Sequence, residues 1–358
     1  MKFMHIADIH YGRWCRLSRY SAEFSRQRRY EVAKTFERII DYANKNRVDF
    51  ILCAGDLLDN ESVSQAELKN INDTIEKLET CRFICVTGNH DALHDRSAYY
   101  KIKWTRKFEL VGKGLHKISM DKFGTDIYAY SWEKNTYKEN PLVIPKLDRS
   151  RTNILLTHGE VAPKSDYLPL NVRSMAGLGF DYIALGHIHK PCKIGDIAYY
   201  SGCPEPLDSS ETGHHGFMLC ELSKTASKFN FVPFALRTYK EITVTMTKKD
   251  SQVALLGKIK EQTLNRDNIY KVRLTGVYHI GEPPDITRLC ELLLEDGFMA
   301  DIEDGTRPGV DFNLMKEQNK ENIIGKYIAS FGDLDKLQPV EQESLEIGVE
   351  ALLSGRGV

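Results

Sequence analysis

Five short clusters of Asp, Asn and His punctuate the first 190 residues, and each follows an apolar run of strand length. Phe3-Met4-His5-Ile6-Ala7 runs into Asp8-Ile9-His10, and Phe50-Ile51-Leu52-Cys53-Ala54 into Gly55-Asp56-Leu57-Leu58-Asp59. Phe83-Ile84-Cys85-Val86 leads to Gly88-Asn89-His90-Asp91. Further on, Asn153-Ile154-Leu155-Leu156-Thr157 is followed by His158-Gly159, and Tyr182-Ile183-Ala184-Leu185 by Gly186-His187-Ile188-His189. Helical spacing fills the early gaps. Val32, Phe36, Ile39, Ile40 and Ala43 predict a helix over 28–46, and a second is expected over 64–79. Near Ile127–Tyr130 the pattern turns to strand. The order predicts a βαβαβ start followed by more sheet, in a layered α/β fold. Ligands of open α/β sheets bind beyond the carboxyl ends of the strands, so the five clusters can meet at one site.

Asp8, His10, Asp56, Asn89, His158, His187 and His189 would bring carboxylate and amide oxygens and imidazole nitrogens together without a thiolate. That mixture suits manganese or iron, with zinc also possible. Seven donors exceed the needs of one ion of ordinary coordination number and suffice for two if one carboxylate bridges. Two ions roughly 3.5–4 Å apart can polarise a phosphoryl group and lower the pKa of a bound water from about 15.7 towards about 7. Gly55, Gly88 and Gly186 stand directly before a donor, where the chain must turn or approach closely. Each cluster alone could be a turn or a helix cap. Five in this order, each at a strand end, point to one metal centre.

Lys and Arg total 49 against 50 Asp and Glu, a formal charge of -1, so nucleic-acid binding would need a local basic patch. Residues 12–30 carry Arg13, Arg16, Arg19, Arg26, Arg28 and Arg29, interleaved with Trp14, Tyr20 and Tyr30. Residues 96–107 carry Arg96, Lys101, Lys103, Arg106 and Lys107 beside Tyr99, Tyr100 and Trp104. Both segments follow a donor cluster closely, and basic and aromatic side chains together suit phosphates and unpaired bases. The plainer alternative is a solvated helix face with its aromatics packed inward. Arg13, Arg16, Arg28, Arg29, Arg96, Lys101 and Lys103 are the candidate DNA contacts. His214 and His215 read as a surface turn, and Asp59 as support for a ligand or a helix cap.

No apolar run approaches the roughly 18 residues of a membrane-spanning helix, and the start lacks a signal-peptide layout. Eight cysteines without a Cys-x-x-Cys pair fit buried thiols in a reducing cytoplasm. Three units are expected: a catalytic domain over 1–235, a small α+β domain over 236–305 and a helical segment over 306–358. The small domain should hold strands over 240–247, 268–275 and 298–303 and helices over 251–263 and 285–296. The last segment has two apolar stripes, Ile323, Ile324, Tyr327, Ile328 and Phe331, then Leu345, Ile347, Val349, Leu352 and Leu353. They could dock on a partner's helices or pack back on their own domain.

The ordered elements D-x-H, G-D-x-x-D, G-N-H-D, a later His and G-H-x-H resemble the calcineurin-like metallophosphoesterase superfamily. Within it, Gly179-Phe180-Asp181-Tyr182 through His189 and Tyr200 through Gly213 look most like the SbcD-type double-strand-break-repair nucleases. Cys203 departs from a usual Ser, and Ser209-Ser210 from a usual Phe-Gly. The resemblance implies a four-layered α/β/β/α sandwich with a small capping domain and two divalent metal ions, manganese expected. Asp8, His10 and His189 would hold the first ion and Asn89, His158 and His187 the second, with Asp56 bridging. His90 would contact phosphate and assist the leaving group, oriented by Asp91. DNA, an SbcC-like ATPase and a second copy of the chain are the implied partners. A phosphodiesterase or phosphatase for small substrates and a protein-binding scaffold with a weak metal centre are the alternatives.

Overall fold

The computed structural model describes residues 1–14, 22–263, 265–279 and 281–353. Arg16 and Arg19 lie outside the described residues. The chain divides into two compact units, Met1–Tyr239 and Lys240–Val358.

The first unit opens with β1 (Lys2–Ile6), α1 (Ala22–Lys45), β2 (Phe50–Ala54), α2 (Gln65–Glu76), β3 (Arg82–Val86) and β4 (Phe108–Leu110). It continues with β5 (Gly114–Met120), β6 (Thr125–Ser131), β7 (Thr152–His158), α3 (Val172–Leu178), β8 (Tyr182–Gly186), β9 (Cys192–Ile194) and β10 (Ala198–Tyr200). It closes with β11 (Gly216–Leu222) and β12 (Ser227–Pro233). Two six-stranded sheets result, ordered β12-β11-β1-β2-β3-β4 and β5-β6-β7-β8-β10-β9. β1 to β4 run parallel, as do β6, β7, β8 and β10. β11 and β12 extend the first sheet antiparallel, in a segment for which the sequence pattern specified no element.

Period-two alternation sorts the strand residues into layers. Phe3, Ala7, Phe50, Leu52, Ala54, Ile84 and Val86 face Ile127, Ala129, Ile154, Leu156, Tyr182 and Ala184 in a core between the sheets. The intervening residues of the first sheet, among them Met4, Ile6, Ile51, Cys53, Phe83 and Cys85, pack against Phe36, Ile39 and Ile40 of α1 and Leu68, Ile71 and Ile75 of α2. On the second sheet, Tyr128, Leu155, Ile183 and Leu185 pack against Val172 and Met175 of α3. The expected α/β/β/α sandwich is therefore present. Central strands buried on both faces read as unbroken apolar runs, which made them legible in the sequence. Helix α1 starts six residues before its predicted beginning, because Phe24 is the one large apolar side chain of its first six residues and Arg28 breaks the apolar period before Val32. α2 is fixed by a capping box between Ser64 and Glu67.

In the second unit the sheet comprises β13 (Thr238–Met246), β14 (Asn268–Tyr278), β15 (Met299–Asp304) and β16 (Arg307–Pro308). Helices α4 (Gln252–Gln262) and α5 (Ile286–Glu295) bury Leu255, Ile259, Leu289 and Leu293 against Val244, Val272, Leu274 and Ile302. Then come α6 (Phe312–Gln318), α7 (Ile323–Ala329) and α8 (Pro339–Leu353). Their two apolar stripes meet: Ile328, Leu345 and Val349 are buried with Ile324, Tyr327 and Phe331 against them. Ile323 and Ile347 face solvent instead.

Candidate metal centre

β1, β2 and β3 of one sheet and β7 and β8 of the other end at one edge of the sandwich. The β1–β2 ladder continues past both strands, with Asp8 N donating to Gly55 O (3.1 Å) and His10 N to Asp56 O (2.9 Å). Across the sheets, His187 N reaches both oxygens of Asp8 at 3.1 Å, and His158 Nδ1 lies 2.9 Å from Ala54 O. All seven expected donors converge here.

The turns that bring them together are strained. Six described non-glycine residues have positive φ, and four are expected donors: Asp8 (54°), His10 (49°), Asp56 (52°) and His187 (105°). Such backbone costs of order 1–3 kcal/mol per residue and collects at functional sites. The residue types gave no sign of it. Gly55 itself takes φ 90° to start the turn into Asp56. Gly88 has a different reason to be glycine: a Cβ there would stand 2.4 Å from Asp56 Oδ1 and 2.7 Å from the His158 ring.

Two groups of donors form around one carboxylate. Asp8, His10 and His189 offer atoms within 4.8 Å of one another. On the other side, Asn89 Oδ1 lies 2.9 Å from His158 Nε2 and 3.2 Å from His187 Nδ1. Between them, Asp56 Oδ2 is 3.6 Å from His10 Nε2 and 3.4 Å from His158 Nε2, while Oδ1 accepts from His90 N at 2.9 Å.

The hydrogen bonds test whether cations fit. Ala54 O can only accept, so the proton of His158 sits on Nδ1, and the Nε2 lone pair faces the oxygens of Asn89 and Asp56. His189 Nδ1 lies 2.6 Å from Glu211 Oε1, which turns its Nε2 lone pair towards His10 Nε2 at 3.2 Å. Lone pairs facing one another in a buried site call for positive charge between them, and this oxygen and nitrogen set fits divalent cations. Burial pushes Asp8 up to about 8 and Asp56 up to about 6. It also holds His158 and His187 down at about 3, neutral and free to donate a lone pair.

His90 stands at the rim with 42% of its side chain exposed. The orienting role expected of Asp91 requires a correction. Asp91 is buried, and its oxygens accept from Asp56 N (3.2 Å), Gly88 N (2.7 Å), Leu57 N (2.9 Å), Leu58 N (3.3 Å) and Tyr99 Oη (2.7 Å). It ties the second and third clusters together. Asp59 lies beside His90 instead, with Oδ2 at 3.8 Å from Nδ1. Arg13, Trp14, Asp59, Glu61, His90 and Asp208 line a cleft of about 290 Å³ there.

The basic residues divide. Arg28, expected at a nucleic-acid surface, is 2% exposed; it is paired with Glu31 and Glu205 and donates to Pro206 O at 2.8 Å. Its charge was legible and its burial was not, because Glu205 is distant in sequence. Arg29 is forked onto both oxygens of Glu67 (2.6 and 2.7 Å) and lies over the Trp14 ring at 4.3 Å. Arg13 is half-buried, whereas Arg96, Lys101 and Lys103 are exposed beside Tyr100. His215, expected in a surface turn, is buried against Cys203. Cys53, Cys81, Cys85, Cys203 and Cys220 are buried reduced thiols.

A parallel-stranded α/β/β/α sandwich with acidic and histidine clusters at its carboxyl edge defines a metallophosphoesterase. The chain belongs to the calcineurin-like phosphoesterase family, whose pattern matches residues 1–191. It is 25% identical over 314 residues to the DNA double-strand break repair protein Mre11 of Sulfolobus acidocaldarius, covering 82% of this chain and 79% of that one. Identity to the Mre11 protein of Sulfurisphaera tokodaii is 31% over 224 residues, covering 59% of this chain and 55% of that one. Similarity to SbcD, one component of the SbcCD nuclease of Staphylococcus epidermidis, is 23% identity over the full length of both.

Proposed function

We propose that this phosphoesterase is a metal-dependent DNA nuclease acting in double-strand-break repair. The observation that carries the hydrolytic part is Asp56 Oδ2 placed between the two groups of nitrogen and oxygen donors. Asp8, His10, His189 and Asp56 would hold one divalent cation and Asn89, His158, His187 and Asp56 another, with manganese the expected metal. Bound cations would polarise the phosphodiester and supply hydroxide at neutral pH. The chain's own part is positioning and proton transfer. Asp91 fixes the backbone of the second and third clusters, and His90 presents an exposed imidazole to the departing alkoxide. Asp59 lies beside that ring, with Oδ2 3.8 Å from Nδ1, as a nearby negative charge.

DNA as substrate is supported by the exposed Arg96, Lys101, Lys103 and Tyr100. The names of the Mre11 and SbcD relatives support it as well. With the same relatives in view, we assign residues 236–305 as a capping domain and 306–358 as the segment that meets an SbcC-like ATPase. The resemblance to SbcD is what supports our further proposal of a cytoplasmic homodimer. A small phosphoester is the second reading, favoured by the narrow cleft, where Asp59, Glu61 and Asp208 face Arg13 and would repel a long polyanion.

End-labelled duplex and single-stranded DNA incubated with manganese separates the two. The nuclease reading expects shortened products from the wild type and none from Asp8→Ala. Turnover of nucleotide esters without any DNA cleavage would overturn it.

A further inference from the structure

The loop from Ser201 to Glu211 grips the backbone and ring of His189 from behind. Gly202 (φ 71°) packs so closely that a Cβ would stand 2.6 Å from His189 O and 2.8 Å from Pro191 N. Cys203 N donates to the same His189 O at 3.0 Å. The loop then turns after Leu207, with Glu211 N donating to Asp208 O at 3.0 Å, and brings Glu211 to the imidazole. Glu211 Oε1 is 2.6 Å from His189 Nδ1, and Oε2 accepts from Leu207 N (2.7 Å) and Cys203 Sγ (3.3 Å). His215 closes the cluster, with Nδ1 at 3.1 Å from Cys203 Sγ and Nε2 at 3.0 Å from Glu211 O. Earlier in the loop, Glu205 Oε1 accepts from Thr35 Oγ1 of α1 at 2.6 Å.

We infer that Glu211 is a positioning residue of the metal centre: it fixes the tautomer and ring angle of His189 and thereby sets how tightly one of the two cations is held. The inference rests on the two-cation reading above. A carboxylate that accepts Nδ1–H leaves the Nε2 lone pair outward and raises its basicity. Both Glu211 oxygens are held by donors, so the carboxylate has one orientation. Glu211 and His189 do not share an ion. Two atoms each about 2.0–2.2 Å from one cation stand roughly 3 Å or more apart at ordinary coordination angles, whereas the 2.6 Å separation here is that of a charge-assisted hydrogen bond.

Two variants of the full chain test this. Glu211→Ala removes the acceptor. Glu211→Gln keeps the shape but can serve only one side, because its amide NH2 must face either His189 Nδ1–H or the donors at Leu207 and Cys203. Manganese binding is followed by titration calorimetry, and the His189 tautomer in metal-free protein by long-range proton–nitrogen correlation. The wild type should show Nδ1–H on His189 and two bound equivalents. Both variants should populate the Nε2–H tautomer and weaken one equivalent by roughly 10- to 100-fold, leaving the other near its wild-type value. Unchanged affinities, or equal loss at both ions with the His189 resonances unmoved, would overturn the inference. A wild type that binds no manganese would instead sink the two-cation reading, and the tautomer measurement would still decide the role of Glu211.

Discussion

Asp8 and Asp56 are buried carboxylates that the fold leaves partly protonated until a cation arrives. With Asp8 at about 8, the metal-free site holds a proton there at pH 7 that binding must displace. The sign follows: apparent cation affinity rises with pH until about 8 and levels off above it. Asp56, at about 6, adds to the lower part of the slope. His158 and His187, at about 3, are already neutral and add none between pH 5 and 8. His189 adds to the release, since against the pull of burial its hydrogen bond to Glu211 and the nearby carboxylates hold it above the usual imidazole range. Calorimetry in buffers of different ionisation enthalpy should therefore find protons released at about pH 7 from both Asp8 and His189, and almost none at about pH 9.5; release independent of pH would contradict the burial argument. His90 and Asp91 should separate cleanly. His90→Ala should retain cations and slow cleavage roughly 100-fold or more. Asp91→Ala strips acceptors from four backbone amides and a tyrosine, so it should lower stability by about 3 kcal/mol or more and cation retention with it. Denaturant unfolding and metal titration on the same pair of variants check both.

At the scale of elements, α1 and the segment after β3 look alike in sequence and differ in the fold. The Arg28 guanidinium lies inside, between Glu31 and Glu205, joining α1 to the loop that carries Glu211. Removing one partner of a buried ion pair costs about 3–5 kcal/mol, so Arg28→Ala should appear as a loss of stability. Its DNA affinity, measured on the remaining folded protein, should keep the wild-type salt dependence. Replacing Lys101 and Lys103 together should leave stability nearly unchanged and flatten the slope of log affinity against log salt by about 1–2. Fluorescence anisotropy across a salt series distinguishes the two. An unaltered slope in the lysine variant would place the DNA path elsewhere.

For the whole molecule, the two units carry separate cores, one between and outside the paired sheets and one beneath α4 and α5. A fragment ending at Tyr239 should therefore unfold cooperatively and bind manganese as the full chain does. Loss of cooperative melting in that fragment would show that the first core needs the second unit. The sequence alone determined the layered α/β class, the strand-end position of the clusters and the seven residues that the fold gathers at one edge. Apolar runs, turn residues and ligand chemistry are local properties that side-chain types express directly. Only the tertiary structure decided that Arg28 is buried, that Asp91 serves the backbone while Asp59 faces His90, and that Glu211 reaches His189. Those outcomes depend on which charges meet once two sheets and their loops close, and contacts between residues as far apart as Arg28 and Glu205 leave no periodic trace in the chain.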